Sequence, residues 1–472
     1  MKIGKLSLAN LINAAFFIFG VLLLIGPAIQ NGFPIIHPDS GTYLLEGFGN
    51  KIPVSRPLSY CLFVRFTSRI FSIWSTVGIQ AIFVYWVTWL TVNTVLAKRK
   101  IAWIPFVIIS ILAATTGIAF YTSQIMPDIF LPVALMSVFV IITREKLPWY
   151  TLTGLGLILW ISLIVHMSNL PVVTAVIIAI FFLKILITKS FRVLILKNVI
   201  ILGSVLFLSW ITNPLISLRY KEGFKMSNSN NIVFFSRLLQ AGAAQQYIKD
   251  KCATDSTYYL CEYKDEIDNY NRLDVFLWAD SSFLYDHPCK QKTWDNCWRV
   301  RNNEFGQVNS DILAYPPSRS IYFKAVWNDF LLQLHSFGLT AYVSYKAGSH
   351  IDFPLKIYYK NDYKSYKNSR QYSGTMMFSD MNKIIRIMVC VSLGLILLLF
   401  VRNKRLFSLK SPFLMFGWII LVTWLVNGLL TAMLAVVSDR FLGRFIWLVP
   451  LLLILMIIHE YFREEEKRTI QD

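Results

Sequence analysis

The chain has 472 residues, 55% of them hydrophobic and only 15% charged, with a mean hydropathy of +0.52. Its apolar residues come in blocks long enough to cross a bilayer, which excludes a soluble globular protein of this size. The formal charge of +19 does not argue for nucleic acid, because no basic patch is interleaved with aromatics on one soluble unit.

The positive residues cluster instead at Lys98-Arg99-Lys100, Arg144 with Lys146, Lys189 with Arg192 and Lys197, Arg402 with Lys404 and Arg405, and Arg463 with Lys467 and Arg468. Each cluster follows an apolar span, and the positive-inside rule places these loops in the cytoplasm. The expectation is an all-α polytopic membrane protein of about ten transmembrane helices, both termini cytoplasmic.

Residues 1–218 read as an N-terminal transmembrane module of about seven spans. The first, about Leu8 to Ile29, is longer than the roughly 7–15 apolar residues of a signal-peptide core, so it is read as an uncleaved span. The outer loop 30–72 carries Phe33-Pro34-Ile35-Ile36-His37-Pro38-Asp39-Ser40-Gly41-Thr42-Tyr43-Leu44. Its prolines and glycine stop the helix from continuing, and Asp39 or Ser40 can cap a new helix bearing Tyr43, Leu44 and Glu46. From Leu58 to Ile70 the pattern is that of an amphipathic helix lying on the membrane face. Two further outer turns follow, Met126-Pro127-Asp128 and His166-Met167-Ser168-Asn169.

Residues 219–382 form the one long polar segment, mainly helical, inserted before the last three spans. At roughly 160 residues it is large enough to hold its own core. Its cysteines, Cys252, Cys261, Cys289 and Cys297, match no common zinc pattern. Two short-loop disulfides in an oxidising compartment, Cys252–Cys261 and Cys289–Cys297, are expected, whereas Cys61 and Cys390 lie in or beside apolar spans as packing residues. Residues 383–472 supply about three more spans, Asp439-Arg440 and Arg444 before the last, and a charged tail.

All the short outer turns bring polar groups to one surface. Each group has a simpler reading: Asp39 and Asp128 as helix caps, His166 as an interfacial residue, and Arg440 and Arg444 as lipid-phosphate anchors. Together they suit transfer of a group from a phosphate-linked lipid. A carboxylate can take a proton from an acceptor hydroxyl, and arginines can hold a phosphate bidentately.

These motifs resemble the GT-C superfamily, the polytopic glycosyltransferases that use polyprenyl-phosphate sugars, including the protein O-mannosyltransferase and aminoarabinose transferase branches. The resemblance rests on Pro38-Asp39-Ser40-Gly41-Thr42-Tyr43, on Pro127-Asp128, and on Arg440-Phe441 followed by Gly443-Arg444-Phe445-Ile446-Trp447-Leu448-Val449-Pro450. It implies a membrane enzyme moving a sugar from a polyprenyl-phosphate donor to a glycan, lipid or protein acceptor at the outer face of a bacterial inner membrane. Asp39 would be the catalytic base, with His37 beside it. Asp128 would be a second acid orienting substrate or a divalent metal held by Asp39 and Asp128. Tyr43, His166, Arg440 and Arg444 would bind substrate, the arginines at the lipid phosphate. The chain departs from the family in carrying a lone Asp39 where many members have paired acids, and its long polar segment matches no C-terminal domain of theirs. The stretch Arg237-Leu238-Leu239-Gln240-Ala241-Gly242 through Tyr259-Leu260-Cys261 is similar to a segment of bacterial polytopic membrane proteins.

Two other classes compete. A transporter or flippase of lipid-linked sugars needs charged residues along a mid-membrane path, and spans 2 to 7 carry almost none. An O-antigen ligase or polymerase relies on Arg and His in a large outer loop, where His335, His350 and Arg370 lie.

Overall fold

The structure, a computed structural model, describes residues 8–471 apart from 50, 97–102, 145, 189–195, 287–292, 341, 377, 404–405, 407 and 409–410. The basic clusters at 98–100, at 189 and 192, and at 404–405 lie outside the described residues, as does Cys289. Among the described residues the regular structure is helical, and the only β pairing is an isolated parallel bridge between Ile35 and Gln124.

Among the described residues, five helices are long and apolar enough to cross a membrane: Trp74–Val95, Lys197–Arg219, Asp380–Arg402, Pro412–Leu434 and Asp439–Glu466. Five more apolar helices coincide with predicted spans but are shorter, at 10–17 residues. A straight crossing takes about 20 residues. Several of the short helices are segments of a broken run. Leu8–Leu24 is followed by Gly26–Asn31, with Pro27 in its first turn, and Trp103–Thr115 is followed by Ile118–Thr122.

The helix Phe130–Thr143 is apolar all round, and every residue from Phe130 to Ile142 is buried. Such a helix belongs at the centre of a bundle rather than at its rim. It packs against Trp74–Val95 and Trp149–Ile164, and the short turn Pro127–Ile129 at its start carries Asp128.

The long polar segment divides by packing. Residues 232–326 close their own aromatic-rich core, with Phe235 stacked on Phe305 at 4.1 Å and Trp298 fully buried. This part is tied to the Pro412–Leu434 helix through Arg237, which donates from Nε to the Ala432 carbonyl at 2.9 Å and pairs with Asp329 at 2.6 Å. From Phe337 to Tyr366 the buried side chains instead join the main core around the first loop. Cys252 and Cys261 are disulfide-linked, with Cα atoms 5.6 Å apart, and Cys297 is disulfide-bonded. Cys61 is a buried free thiol and Cys390 an exposed one.

Candidate functional site

The loop from Phe33 to Asp39 is held from three directions. Ile35 N–H donates to Ser123 O and Ile125 N–H to Ile35 O, both at 2.9 Å, which straps the loop to the turn before Asp128. Gln80 fixes that turn from below, donating to Thr122 O at 3.0 Å and Gln124 O at 2.9 Å while accepting from Tyr60 at 2.8 Å. Gln371, from the long polar segment, acts as a surrogate strand: its amide donates to Ile36 O at 2.6 Å and accepts from Ile36 N–H at 2.9 Å.

Asp39 stands at the N-cap position of the Ser40–Glu46 helix, but no side chain caps that helix. Ser40 Oγ accepts from His37 N–H and donates to Ile125 O, both at 2.9 Å, and so pins the loop instead. Nor does Asp128 cap a helix: neither of its oxygens accepts a hydrogen bond. The capping expectation is corrected at all three residues, because the two carboxylates are drawn into ion pairs and the Ser40 hydroxyl is taken up by the loop.

Asp39, Arg440, Asp128 and Arg444 alternate in sign. Arg440 lies 3.5 Å from Asp39 and 3.8 Å from Asp128, and Arg444 lies 3.7 Å from Asp128 on its other side. Arg56 closes the chain at 2.5 Å from Asp39. The row grades from solvent inward, with side-chain exposure of 30% at Arg56, 16% at Asp39 and 14% at Arg440, and 0% at Asp128 and Arg444. Arg444 is steered by donation to Asn427 Oδ1 at 2.7 Å and to Ser168 Oγ at 3.1 Å. The Ser168 hydroxyl in turn lies 2.9 Å from His166 Nδ1. Arg440 donates to His37 Nδ1 at 3.2 Å, so the ring nitrogen acts as an acceptor.

That geometry requires neutral histidines. Burial and the Arg440 charge lower the pKa of His37 to about 4, and burial with the Arg444 charge lowers His166 to about 3. Burial alone would push Asp39 up. The Arg56 and Arg440 guanidiniums overcome it and hold the carboxyl well below the usual carboxylate range. Three guanidiniums, on Arg56, Arg440 and Arg444, stand against two carboxylates, on Asp39 and Asp128, and leave one surplus positive charge. An enclosed site with that surplus favours an anion.

His37, Asp39, Asp128, Arg440 and Arg444 are thus brought together, and His166 joins them through Ser168. Tyr43 is buried with its ring packed edge-on to Tyr60 at 4.7 Å, a core position behind the charged row. Arg56, Asn427 and Gln371 were not singled out by sequence reasoning, whereas His350 was, as a histidine of the large outer loop. His350 approaches Pro38 O at 2.9 Å through Nε2 and touches Gly41, where an added Cβ would lie 2.6 Å from its ring. Arg56 has a signal, a charge preceding Pro57 between the acid and an amphipathic helix; the other two missed residues are ordinary polar residues in sequence. A divalent metal bridging Asp39 and Asp128 does not fit this arrangement. The Arg440 guanidinium contacts both acids, and among the described residues no three His, Cys, Asp or Glu side chains converge.

No protein-family model, curated protein or solved structure matches the chain.

Proposed function

We propose that the chain is a membrane glycosyltransferase that moves a sugar from a polyprenyl-phosphate donor to a hydroxyl acceptor, with Asp39 as the proton acceptor. One observation carries this reading: two acids from separate loops lie in one row with three arginines, and the row runs from the protein surface into its core. Both oxygens of buried Asp128, and Nε and Nη1 of buried Arg444, make no hydrogen bond. Buried charged groups in that condition are costly, and donors so placed suit phosphate oxygens.

In the proposed step the acceptor oxygen bonds to the anomeric carbon of the donor sugar as the bond from that carbon to the phosphate oxygen breaks. The acceptor proton passes to Asp39, and the polyprenyl phosphate leaves with the added negative charge that Arg440 and Arg444 offset. Asp39 is ionised at neutral pH and so can accept a proton, while Arg56 and Arg440, by holding its carboxyl below the usual range, also weaken it as a base. His37, kept neutral, accepts from Arg440 and orients it. In this reading the site faces the outer side of a bacterial inner membrane, about ten helices cross the bilayer, and both termini are cytoplasmic.

The contact between His350 and the Pro38 carbonyl favours a second reading, an O-antigen ligase-like enzyme, because it brings a histidine of the large loop beside Asp39. Incubating the purified protein with radiolabelled polyprenyl-phosphate sugar and cell-envelope extract tests the first reading. Transfer from a polyprenyl monophosphate supports it, and transfer only from a diphosphate-linked glycan turns it to the ligase.

A further inference from the structure

At the end of the bundle away from the charged row, a cleft of about 710 Å³ opens between the helices Leu8–Leu24, Trp74–Val95 and Trp149–Ile164. Its volume is well within the ~300–1,000 Å³ typical of small-molecule sites. Asp128 precedes the 14-residue helix Phe130–Thr143 and Arg144 follows it. About 21 Å of helical rise therefore separates the buried acid from the cation of this cleft. Aromatic rings form its walls, Tyr85, Trp86 and Trp89 on one helix and Tyr150 on another. A Cβ on Gly20 would overlap the Tyr85 ring, and one on Gly154 would press on Trp86 at 3.0 Å. These rings lie directly against the neighbouring helix backbones, so packing fixes the shape of the cleft.

The polar part of the lining is cationic. Arg144, half-buried, forms no ion pair among the described residues, and the half-buried Asn93 lines the same cleft. In sequence the two loops at this end carry five basic residues, Lys98, Arg99, Lys100, Arg144 and Lys146, against the single acid Glu145. Trp89 and Tyr150 are 40% and 65% exposed. Tryptophan and tyrosine in such positions mark the level of the lipid headgroups. A cleft that opens sideways between membrane helices fills with lipid, and an arginine beside hydrocarbon is costly until an anion meets it. A phosphate does so with charge-assisted hydrogen bonds.

We infer that this cleft holds an anionic phospholipid as a fixed part of the protein, its phosphate on Arg144 and Asn93 and its chains along Tyr85, Trp86 and Trp89. The basic surplus around the cleft selects a headgroup that carries no ammonium of its own. The charge pattern of the sequence predicts that this is a lipid of the cytoplasmic leaflet. The cleft and the charged row share no residue, so the inference stands apart from the transferase reading.

Titrating the detergent-purified full chain with phosphatidylglycerol whose chains are brominated, and so quench tryptophan on contact, tests it without turnover. The expected result is saturable quenching, at least about fivefold tighter than with phosphatidylethanolamine of the same chains, the discrimination that one basic residue gives at a lipid surface. Arg144→Gln should erase that difference while leaving the thermal midpoint unmoved, because the side chain has no ion pair in the fold. Trp89→Phe, at an exposed ring, should lower the quenching amplitude without shifting its concentration dependence. Equal affinity for the two lipids, a preference kept in Arg144→Gln, or an amplitude unchanged in Trp89→Phe overturns the inference. The Trp89→Phe amplitude decides the question by itself if Arg144→Gln unfolds. Displacement of the brominated lipid by polyprenyl phosphate at lower concentration than by plain phosphatidylglycerol overturns the phospholipid as occupant.

Discussion

Asp128 and Arg444 face each other at 3.7 Å, both fully buried, with no hydrogen bond between them. Arg444 takes its position from Asn427 and Ser168 rather than from the acid. The pair is therefore held in register by its scaffold, and each charge is stabilised by the other chiefly through space. Removing Asp128 strands Arg444, whereas removing Arg444 leaves Asp128 with Arg440 at 3.8 Å; a stranded buried charge costs about 3–5 kcal/mol.

Asp128→Ala and Arg444→Gln should each lower the thermal midpoint of the detergent-solubilised protein, and the double variant should recover part of the loss. Additive losses would show that the two charges do not depend on each other. Arg444→Lys keeps the charge but cannot bond Asn427 and Ser168, as Nη2 does, and still present Nε and Nη1 to a ligand; it should retain most of the stability while weakening donor binding about tenfold, by direct measurement with a polyprenyl-phosphate sugar.

Gly443 sits between the two site arginines. A Cβ there would meet Gly338 O at 2.3 Å and Tyr121 Oη at 2.4 Å, and that hydroxyl donates to Gly338 O at 2.8 Å. Backbone on one side and a hydrogen-bonded ring on the other leave little room to yield. Gly443→Ala should displace Arg440 and Arg444 together, cost about 1–3 kcal/mol and reduce transfer at least as much as Arg444→Lys. Wild-type activity would mean that the segment bearing the two arginines tolerates displacement.

Acid should destabilise the fold in two stages. His37 and His166 have folded pKa values of about 4 and about 3 against an ordinary value of 6.5. Both are lowered, so their contribution is fully present above about pH 6.5 and is lost as pH falls from there towards 4 and 3. The depressed carboxyl of Asp39 adds its loss only below the ordinary aspartate range. A thermal midpoint followed from pH 7.5 to pH 4.5 should fall, and His37→Asn should flatten the fall. A profile identical in the variant would show that His37 does not resist protonation.

The apolar blocks and the polar insertion were legible in the sequence because burial in lipid and burial in protein both demand unbroken runs of Leu, Ile, Val and Phe. Helix length was not: the Trp103–Thr115 helix stops at Thr115, where hydropathy gives no warning. The site was half legible. Acids after prolines at the ends of apolar runs, Asp39 and Asp128, stand out because charge there is rare. Gln371 cannot be found in this way, since its role is to pair with the backbone of Ile36, a contact between distant parts of the chain that leaves no local pattern. The capping expectation failed for a related reason, because the guanidiniums that draw Asp39 away from its helix come from Arg56, 17 residues along the chain, and from Arg440 on the distant Asp439–Ile446 helix.

The positive-inside pattern predicts the sides independently of the site. Reporter fusions at Ser229 and Asn303 should both report the non-cytoplasmic compartment, and a cytoplasmic signal at either would reverse the assignment. The Cys252–Cys261 disulfide agrees with an oxidising side. Its loss in Cys252→Ser should cost roughly 2–5 kcal/mol, measured as protease resistance of the long polar segment.

Asp39→Asn is the sharpest test of the mechanism. The carboxylate caps no helix, so the amide should leave the Ser40–Glu46 helix intact, and Ser40 should still pin the loop to Ile125. What is lost is the proton acceptor and the counter-charge of Arg56 and Arg440. Transfer should fall by about 10²–10⁴ at unchanged protein yield. Arg56→Gln separates the two losses, because it keeps the acid and removes the nearest positive charge. The Asp39 pKa should then rise, and transfer, which needs the ionised carboxylate, should fail at a higher pH on the acid side than in the wild type while persisting at neutral pH. A merely structural Asp39 would give no such displacement of the acid limb. Full transfer by Asp39→Asn, or an acid limb unmoved in Arg56→Gln, would remove Asp39 from the chemistry.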